Sequence, residues 1–376
     1  MTHPIVALDI GSTKVACAIG LPRAEGSGYE LLGSSLVSYP AYSEAWLSDT
    51  SMVSKTIAHA LEEAGAEHGL SEVVVAISHP QLVSESVRYS IPLADEPRVV
   101  RTRDLERLQE LALHQVLGMD REPLVVQRLG CSGNGFDGIQ DPRGLCATRL
   151  SGVFHVVTMP MAARQRLVHV VESVGLEIVQ LTHSLIATAA EWENTQPLGH
   201  FLIIDVGGLS TDIGFFNQGR LQASKTLSWG GLTLALTIAR ALHLTMTQAL
   251  AVSLEALATH REQIREAIQE PLENLARALR ELLDDQAQPE RVAITGRGAL
   301  MDGFAEWVEQ TVGLAPSLLR NPRTQAITDL SKQVGLNSAM GLLDRLMRNV
   351  DTPTVRSAHF WTRFLDQTKT LLTEYF

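Results

Sequence analysis

Ile5-Val-Ala-Leu-Asp-Ile-Gly-Ser-Thr-Lys14 is a run of strand character that ends in a Gly/Ser/Thr turn, with Asp9 alone interrupting its apolar residues. Residues 5–10 of this run read as an apolar strand. Val15 to Gly20 is apolar again and reads as the returning arm of a hairpin. The same design recurs in Phe201-Leu-Ile-Ile-Asp-Val206, which runs into Gly207-Gly208-Leu209-Ser210-Thr211 and then the apolar Ile213 to Phe216. Two copies of one unit, about half a chain apart, mark an internal duplication. The expected fold is therefore a duplicated α/β architecture.

An Asp-ended strand followed by such a turn suits phosphate. Glycine lets the backbone approach closely, so that successive N–H groups can point at one anion. The hydroxyls of Ser12, Thr13, Ser210 and Thr211 can add further donors, and Lys14 a positive charge. Asp9 and Asp205, at the ends of their strands, are placed to hold Mg²⁺ through water. Two turns at matching points of a duplicated chain can grip one nucleotide from opposite sides.

Between the copies, 51–68, 103–117 and 161–174 carry apolar residues at helical spacing, and Val73 to Ile77 reads as a strand. Residues 81–158 change texture, with mixed strands around 82–92, one helix and a Gly-rich loop over 130–144, and are expected to form a small α+β insertion. That assigns 1–80 and 159–186 to the first subdomain. The second half then spans 187–348, with a helical part over about 225–288. Within it, 231–243 and 247–285 read as helices, the latter broken near Pro271. Val292 to Thr295 reads as a strand entering Gly296-Arg297-Gly298.

The chain has 376 residues, 45% of them hydrophobic and 19% charged, which suits folded domains. Its net charge of −11 and the absence of a Lys/Arg stripe exclude nucleic acid as the main partner. Cys17, Cys131 and Cys146 are too scattered for a disulfide framework or a metal site, which fits a reducing cytoplasm. The start lacks the pattern of a signal peptide, and no apolar run is long enough to span a bilayer. The histidines, among them His79, His114, His183 and His243, lack ligand spacing and read as packing or surface residues. No residue stands out as a catalytic base.

Asp9 to Lys14 resembles the first phosphate motif of the actin, Hsp70 and sugar kinase superfamily, and Asp205 to Asp212 the second. Ile294-Thr-Gly-Arg-Gly-Ala299 is similar to the motif that lies under the adenosine. Within that superfamily the chain resembles the FtsA family of bacterial cell-division proteins. The opening Leu8 to Val15, the stretch Val171 to Ile178, the helix from Ser184, the strand from Phe201 and the place of the insertion carry the likeness. The resemblance implies an actin-like (ribonuclease H-like) fold, ATP with Mg²⁺, self-association into filaments and binding of the FtsZ C-terminal peptide. Contacts with other division proteins, at the division site on the cytoplasmic face of the inner membrane, are implied too. The implied nucleotide residues are Asp9, Gly11, Ser12, Thr13, Lys14, Asp205, Gly207, Gly208, Ser210, Thr211, Gly230, Gly231, Gly296 and Gly298.

The chain also departs from that family. Leu209 and Ser210 follow two glycines where three are usual, and Arg297 splits the paired glycines of the adenosine turn. Thr237, Leu250 and Ser253 align where relatives carry an Asp, a Glu and a Lys. Either the cradle keeps ATP without those ribose contacts, or the chain is a degenerate actin-like protein that has lost its nucleotide.

After a polar linker over 349–357, residues 358–376 form an amphipathic pattern. Phe360, Trp361, Phe364, Leu365, Leu371, Leu372, Tyr375 and Phe376 share one face at the helical period. Such a helix can lie in the lipid interface, held there peripherally by apolar burial. Arg363 and Lys369 are set against Asp366 and Glu374, so anionic lipid adds little. Two alternative readings are a PilM-like scaffold of an inner-membrane assembly and a small-molecule kinase. The tail argues against both, and the replaced ribose positions argue against the kinase.

Overall fold

Two five-stranded sheets with one strand order form the frame. The computed structural model describes residues 3–23, 28–39, 46–66, 70–195, 199–254 and 262–347. The expected linker 349–357 and tail helix 358–376 lie outside the described residues. In the first sheet, β1 (Ile5–Ile10) forms a hairpin with β2 (Lys14–Pro22), which pairs with β3 (Tyr29–Ser38). After α1 (Thr50–Glu63) the chain returns as β4 (Glu72–Ile77), parallel to β1.

The insertion leaves from the end of β4. Its strands are β5 (Val83–Pro92), β6 (Arg98–Val99), β7 (Arg121–Gly133), β8 (Phe136–Ile139), β9 (Cys146–Ala147) and β10 (Arg149–Pro160). Four of them form an antiparallel sheet in the order β5-β10-β7-β8. The helix α2 (Thr102–Val116) buries Leu105, Leu108, Ala112 and Leu113 in a core shared with Val87, Phe154 and Val156. Much of the Gly-rich stretch 130–144, expected as a loop, is the β7–β8 hairpin. Gly135 and Gly138, at φ of 77° and 65°, supply its left-handed positions.

α3 (Met161–Glu172) leads to β11 (Glu177–His183), which completes the first sheet beside β4, and α4 (Ser184–Thr195) crosses to the second half. There β12 (His200–Val206), β13 (Thr211–Asn217) and β14 (Arg220–Leu227) form the antiparallel part. The helices α5 (Gly231–Leu242), α6 (Met246–Leu254) and α7 (Glu262–Asp284) follow. β15 (Arg291–Thr295), α8 (Phe304–Val312) and β16 (Pro316–Leu318) close the sheet. The orders β3-β2-β1-β4-β11 and β14-β13-β12-β15-β16 coincide strand for strand, as a duplication requires.

Two elements depart from expectation. α7 runs through Pro271 without a break. A proline costs a helix interior about 3 kcal/mol, but α7 buries Ile264, Ile268, Leu275 and Leu279, and each such side chain contributes roughly 1.5–3 kcal/mol. After α9 (Leu330–Gly335), α10 (Asn337–Met347) falls inside the range assigned by sequence order to the second half. Its Ala339, Met340 and Leu343 instead share a core cluster with Ala7, Ala16 and Val74 of the first half.

Candidate functional site

The turn after β1 is closed by Gly11 N donating to Lys14 O at 3.0 Å. Lys14 Nζ bonds the Asp9 carboxylate and also donates to Gly335 O at 2.8 Å, tying the turn to α9. Ser184 Oγ, at the start of α4, donates to the other oxygen of Asp9 at 3.1 Å. The turn after β12 is closed in the same way, by Gly207 N donating to Ser210 O at 2.9 Å. Each hairpin thus ends in the same short backbone loop, and the two loops face each other.

They also touch. Leu209 N donates to Ser12 Oγ at 3.0 Å, and a Cβ on Gly208 would overlap the Thr13 side chain and stand 2.7 Å from Ser12 Oγ. The first N–H groups of α5 are turned toward the second loop: Gly231 N donates to Gly207 O and Leu232 N to Gly208 O, each at 2.9 Å. This loop and the helix form one unit, with Gly230 pressed against the Gly207 carbonyl.

The third turn lies beneath. Gly296, at φ 81°, is in the left-handed region, and a Cβ there would overlap the Asp205 carboxylate and the Val206 carbonyl. Arg297, between the two glycines, reaches over to the first half. Its Nη2 donates to Thr13 Oγ1 at 2.7 Å, and its Nη1 to Ser38 Oγ at 3.1 Å.

All the residues expected from the motifs line one cavity of about 360 Å³ except Gly230 and Thr211. Thr211 is fully buried and donates its hydroxyl to Trp229 O at 2.9 Å, so it holds the loop to the start of α5. An aliphatic wall of Leu232, Leu234, Leu250, Leu300, Met301 and Val334 also lines the cavity. Leu250 and Ser253 stand on that wall, whereas Thr237 is turned away, donating to Thr233 O at 3.0 Å within its helix. The cavity therefore combines polar loops with an aliphatic wall.

Sequence reasoning passed over four contributors: Ser78, Ser184, Asp212 and Arg297. Ser78, at the exit of β4, shares a 2.8 Å hydrogen bond with Ser210 and donates to Asp212. Asp212 also accepts from Thr226 Oγ1 at 2.5 Å and lies 3.4 Å from His183 Nε2. Asp212 and Arg297 had a local signal, Asp212 standing directly after Thr211 and Arg297 between the glycines of the third turn. Burial pushes the Asp205 carboxyl up to about 7, the neighbouring Asp212 and Asp9 add to this, and Lys14 opposes it. Carboxylates that repel one another across a cavity suit a divalent cation. Among the described residues no group of three or more His, Cys, Asp or Glu is arranged to hold a metal. Mg²⁺ needs no such group, since it is held by one or two carboxylates through water together with phosphate oxygens, and Asp9 and Asp205 are the carboxylates that could serve.

Residues 79–158 match the family described as the SHS2 domain inserted in FTSA. The chain is FtsA-like. It is 24% identical over 372 residues to the cell division protein FtsA of Pseudomonas aeruginosa, covering 90% of this chain and 88% of that one. It is 29% identical over 254 residues to FtsA of Rhizobium meliloti, where the match covers 64% of this chain and 57% of the relative. The chain thus spans little more than half the length of that second FtsA. Among solved structures, a PilM–PilN type IV pilus biogenesis complex matches with a TM-score of 0.67 and 20% identity, over 92% of this chain and 98% of that one. A nucleotide-free diol dehydratase-reactivating factor matches at 0.52 and 10% identity, over 92% and 100%. The FtsA-like chain has the actin-like ATPase fold with an SHS2 insertion.

Proposed function

We propose that this protein works in cell division as FtsA does: it binds ATP with Mg²⁺ between its halves, self-assembles, and holds the FtsZ C-terminal peptide at the cytoplasmic face of the inner membrane. The observation that carries this reading is the pair of matching Asp-ended loops, facing each other across one cavity in a fold that bears the FtsA insertion. In this reading Asp9 and Asp205 hold Mg²⁺ through water, the loop hydroxyls and N–H groups receive phosphate, and the aliphatic wall meets the base. Residues 358–376 supply the lipid contact. Among the described residues no helix is long and apolar enough to cross a membrane.

Calorimetric titration with Mg·ATP tests the nucleotide part. Gly11→Asp is a suitable control, because a Cβ at Gly11 meets nothing closer than Lys14 O at 3.5 Å. The variant should fold and place a negative charge where phosphate goes. Binding by the wild type that Gly11→Asp weakens at least tenfold supports the cradle; equal binding by both would place the ligand elsewhere.

A second reading is a PilM-like scaffold, favoured by the close match to the PilM–PilN complex over nearly its whole length. An immobilised FtsZ C-terminal peptide separates the two. Retention of the chain supports the division reading, and failure to retain it favours the scaffold.

A further inference from the structure

Ser78 stands where three parts of the molecule meet. It follows β4 directly, opens the stem from which the insertion leaves, and lines the cavity. Its hydroxyl lies 2.8 Å from Ser210 Oγ and also donates to the Asp212 carboxylate. Asp212 is an acceptor on every side: Thr226 Oγ1 donates to it at 2.5 Å, and His183 presents Nε2 at 3.4 Å. The other ring nitrogen of His183 accepts from the Leu185 N–H at 2.9 Å, which leaves the proton of a neutral ring on Nε2. A hydroxyl carries one proton. Ser78 gives its own to Asp212, so in the bond between the two serines Ser210 must be the donor. The proton of Ser210 is thus spent on Ser78.

The stem is held at a second point. Two residues on, Pro80 O accepts from Ser228 Oγ at 2.9 Å, just past the end of β14. Arg121 ties the outgoing and returning strands of the stem together, donating to Gln81 O at 2.7 Å and to Thr158 O at 2.8 Å. The stem is therefore one unit, fastened to the second half by Ser210 and Asp212 at Ser78 and by Ser228 at Pro80. Further out, the insertion meets β14 through Ser224 Oγ, which lies 2.9 Å from His155 Nε2 and donates to Ser84 Oγ at 3.0 Å. Water can replace hydrogen bonds of this kind when they part, so a polar seam opens at less cost than an apolar one.

We propose that the stem of the insertion is a phosphate-responsive latch: a phosphate that takes the Ser210 proton breaks its bond to Ser78, so that nucleotide binding loosens the seat of the insertion on the second half. This rests on the nucleotide reading above, in which the loop hydroxyls receive phosphate. Phosphate oxygens are charged and accept that proton more strongly than the neutral Ser78 hydroxyl does. The coupling is reciprocal: the bond from Ser228 to Pro80 keeps Ser78 within reach of Ser210, and so opposes phosphate. Adenosine, which has no phosphate, leaves the Ser210 proton with Ser78.

The test measures Mg·ATP and adenosine affinity by calorimetry for the wild type, Ser78→Ala and Ser228→Ala, together with amide hydrogen exchange over residues 78–83 of the wild type. Ser78→Ala removes the acceptor that competes with phosphate. It should bind Mg·ATP roughly three- to tenfold tighter, the worth of one hydrogen bond, and adenosine within about twofold of the wild type. Ser228 is not part of the cavity lining, and Ser228→Ala should tighten Mg·ATP in the same direction by about twofold. Exchange in the stem, where the Leu82 N–H donates to His79 O at 3.0 Å, should quicken with Mg·ATP and stay unchanged with adenosine. Unchanged or weaker Mg·ATP binding in Ser78→Ala would overturn the latch and leave the nucleotide reading intact. Equal tightening of both ligands would overturn it too, as a change in the cavity at large, and so would stem exchange that slows or holds steady with Mg·ATP. A wild type that binds neither ligand would overturn both readings. If Ser78→Ala fails to fold, Ser228→Ala and the wild-type exchange decide by the same signs.

Discussion

Ser12 Oγ accepts a hydrogen bond from the backbone N–H of Leu209 at 3.0 Å, joining two loops that are 197 residues apart in sequence. Both residues are buried, Ser12 to 8% exposure and Leu209 to 5%. Leu209 stands where a third glycine is usual, and its side chain lies in the core cluster that contains Val6, Leu8 and Ile10 of β1. The duplicated halves are therefore stitched together at the point where they repeat.

Removing that acceptor should be costly. In Ser12→Ala the Leu209 N–H stays buried and loses its partner, a loss of roughly 1–3 kcal/mol. Urea unfolding of the two proteins measures it. A difference below about 0.5 kcal/mol would mean that the N–H finds another acceptor, and the stitch would carry no stability.

The parts of this fold that sequence made plain are those written locally. Asp9 and Asp205 end apolar strands, glycines follow, and the return strands begin at once, so both hairpins could be read from period and turn chemistry. The insertion was visible as a change of texture near residue 80. What sequence left hidden depends on partners far along the chain. Thr211 looks as suitable for phosphate as Ser210, but it lies in register with Val206, and its hydroxyl meets the Trp229 carbonyl instead. Arg297 looks like a flaw in a glycine pair until Thr13, 284 residues away, proves to be its acceptor. Pro271 looks like a helix break because its local cost is plain in sequence, while the burial of Ile264, Ile268, Leu275 and Leu279 that outweighs it is known only once their neighbours are in place.

Acid should weaken the protein through a histidine at the seam between the insertion and the second half. His155 on β10 is 2% exposed and lies 2.9 Å from Ser224 Oγ on β14. Burial, with His183 nearby, holds it down at about 4. The folded chain then keeps His155 neutral where the unfolded chain, near its ordinary 6.5, takes a proton. Stability from this group is complete above about 6.5 and is lost as pH falls toward 4, by roughly 2 kcal/mol at pH 5. His79, held at about 4 by burial and by Arg121 and Arg166, acts in the same direction. Asp205 acts in the opposite one, because its raised carboxyl takes up a proton in the folded state first. The comparison with His155→Gln isolates the histidine. The wild type's advantage over this variant should shrink by roughly 2 kcal/mol between pH 7 and pH 5 in urea unfolding. Parallel stability curves for the two proteins would remove His155 as the cause.

The proposed membrane attachment through residues 358–376 can be tested apart from folding. The described residues already bury Leu342 and Leu343 of α10. A 1–357 truncation should therefore keep the melting temperature of the full chain. Phe360, Trp361, Phe364 and Leu365 supply apolar surface at one end of the segment's face, and Leu371, Leu372, Tyr375 and Phe376 at the other. Arg363 and Lys369 balance Asp366 and Glu374, so burial is the driving force and anionic lipid adds little. In sedimentation with neutral and with anionic vesicles, the full chain should pellet to a similar extent with both, and the truncation with neither. Phe364→Asp, which places a charge in the middle of the apolar face, should behave like the truncation. If the full chain and the truncation pellet equally, or if neither pellets, the segment is no lipid anchor. A preference for anionic vesicles that survives truncation would move the contact to the folded body.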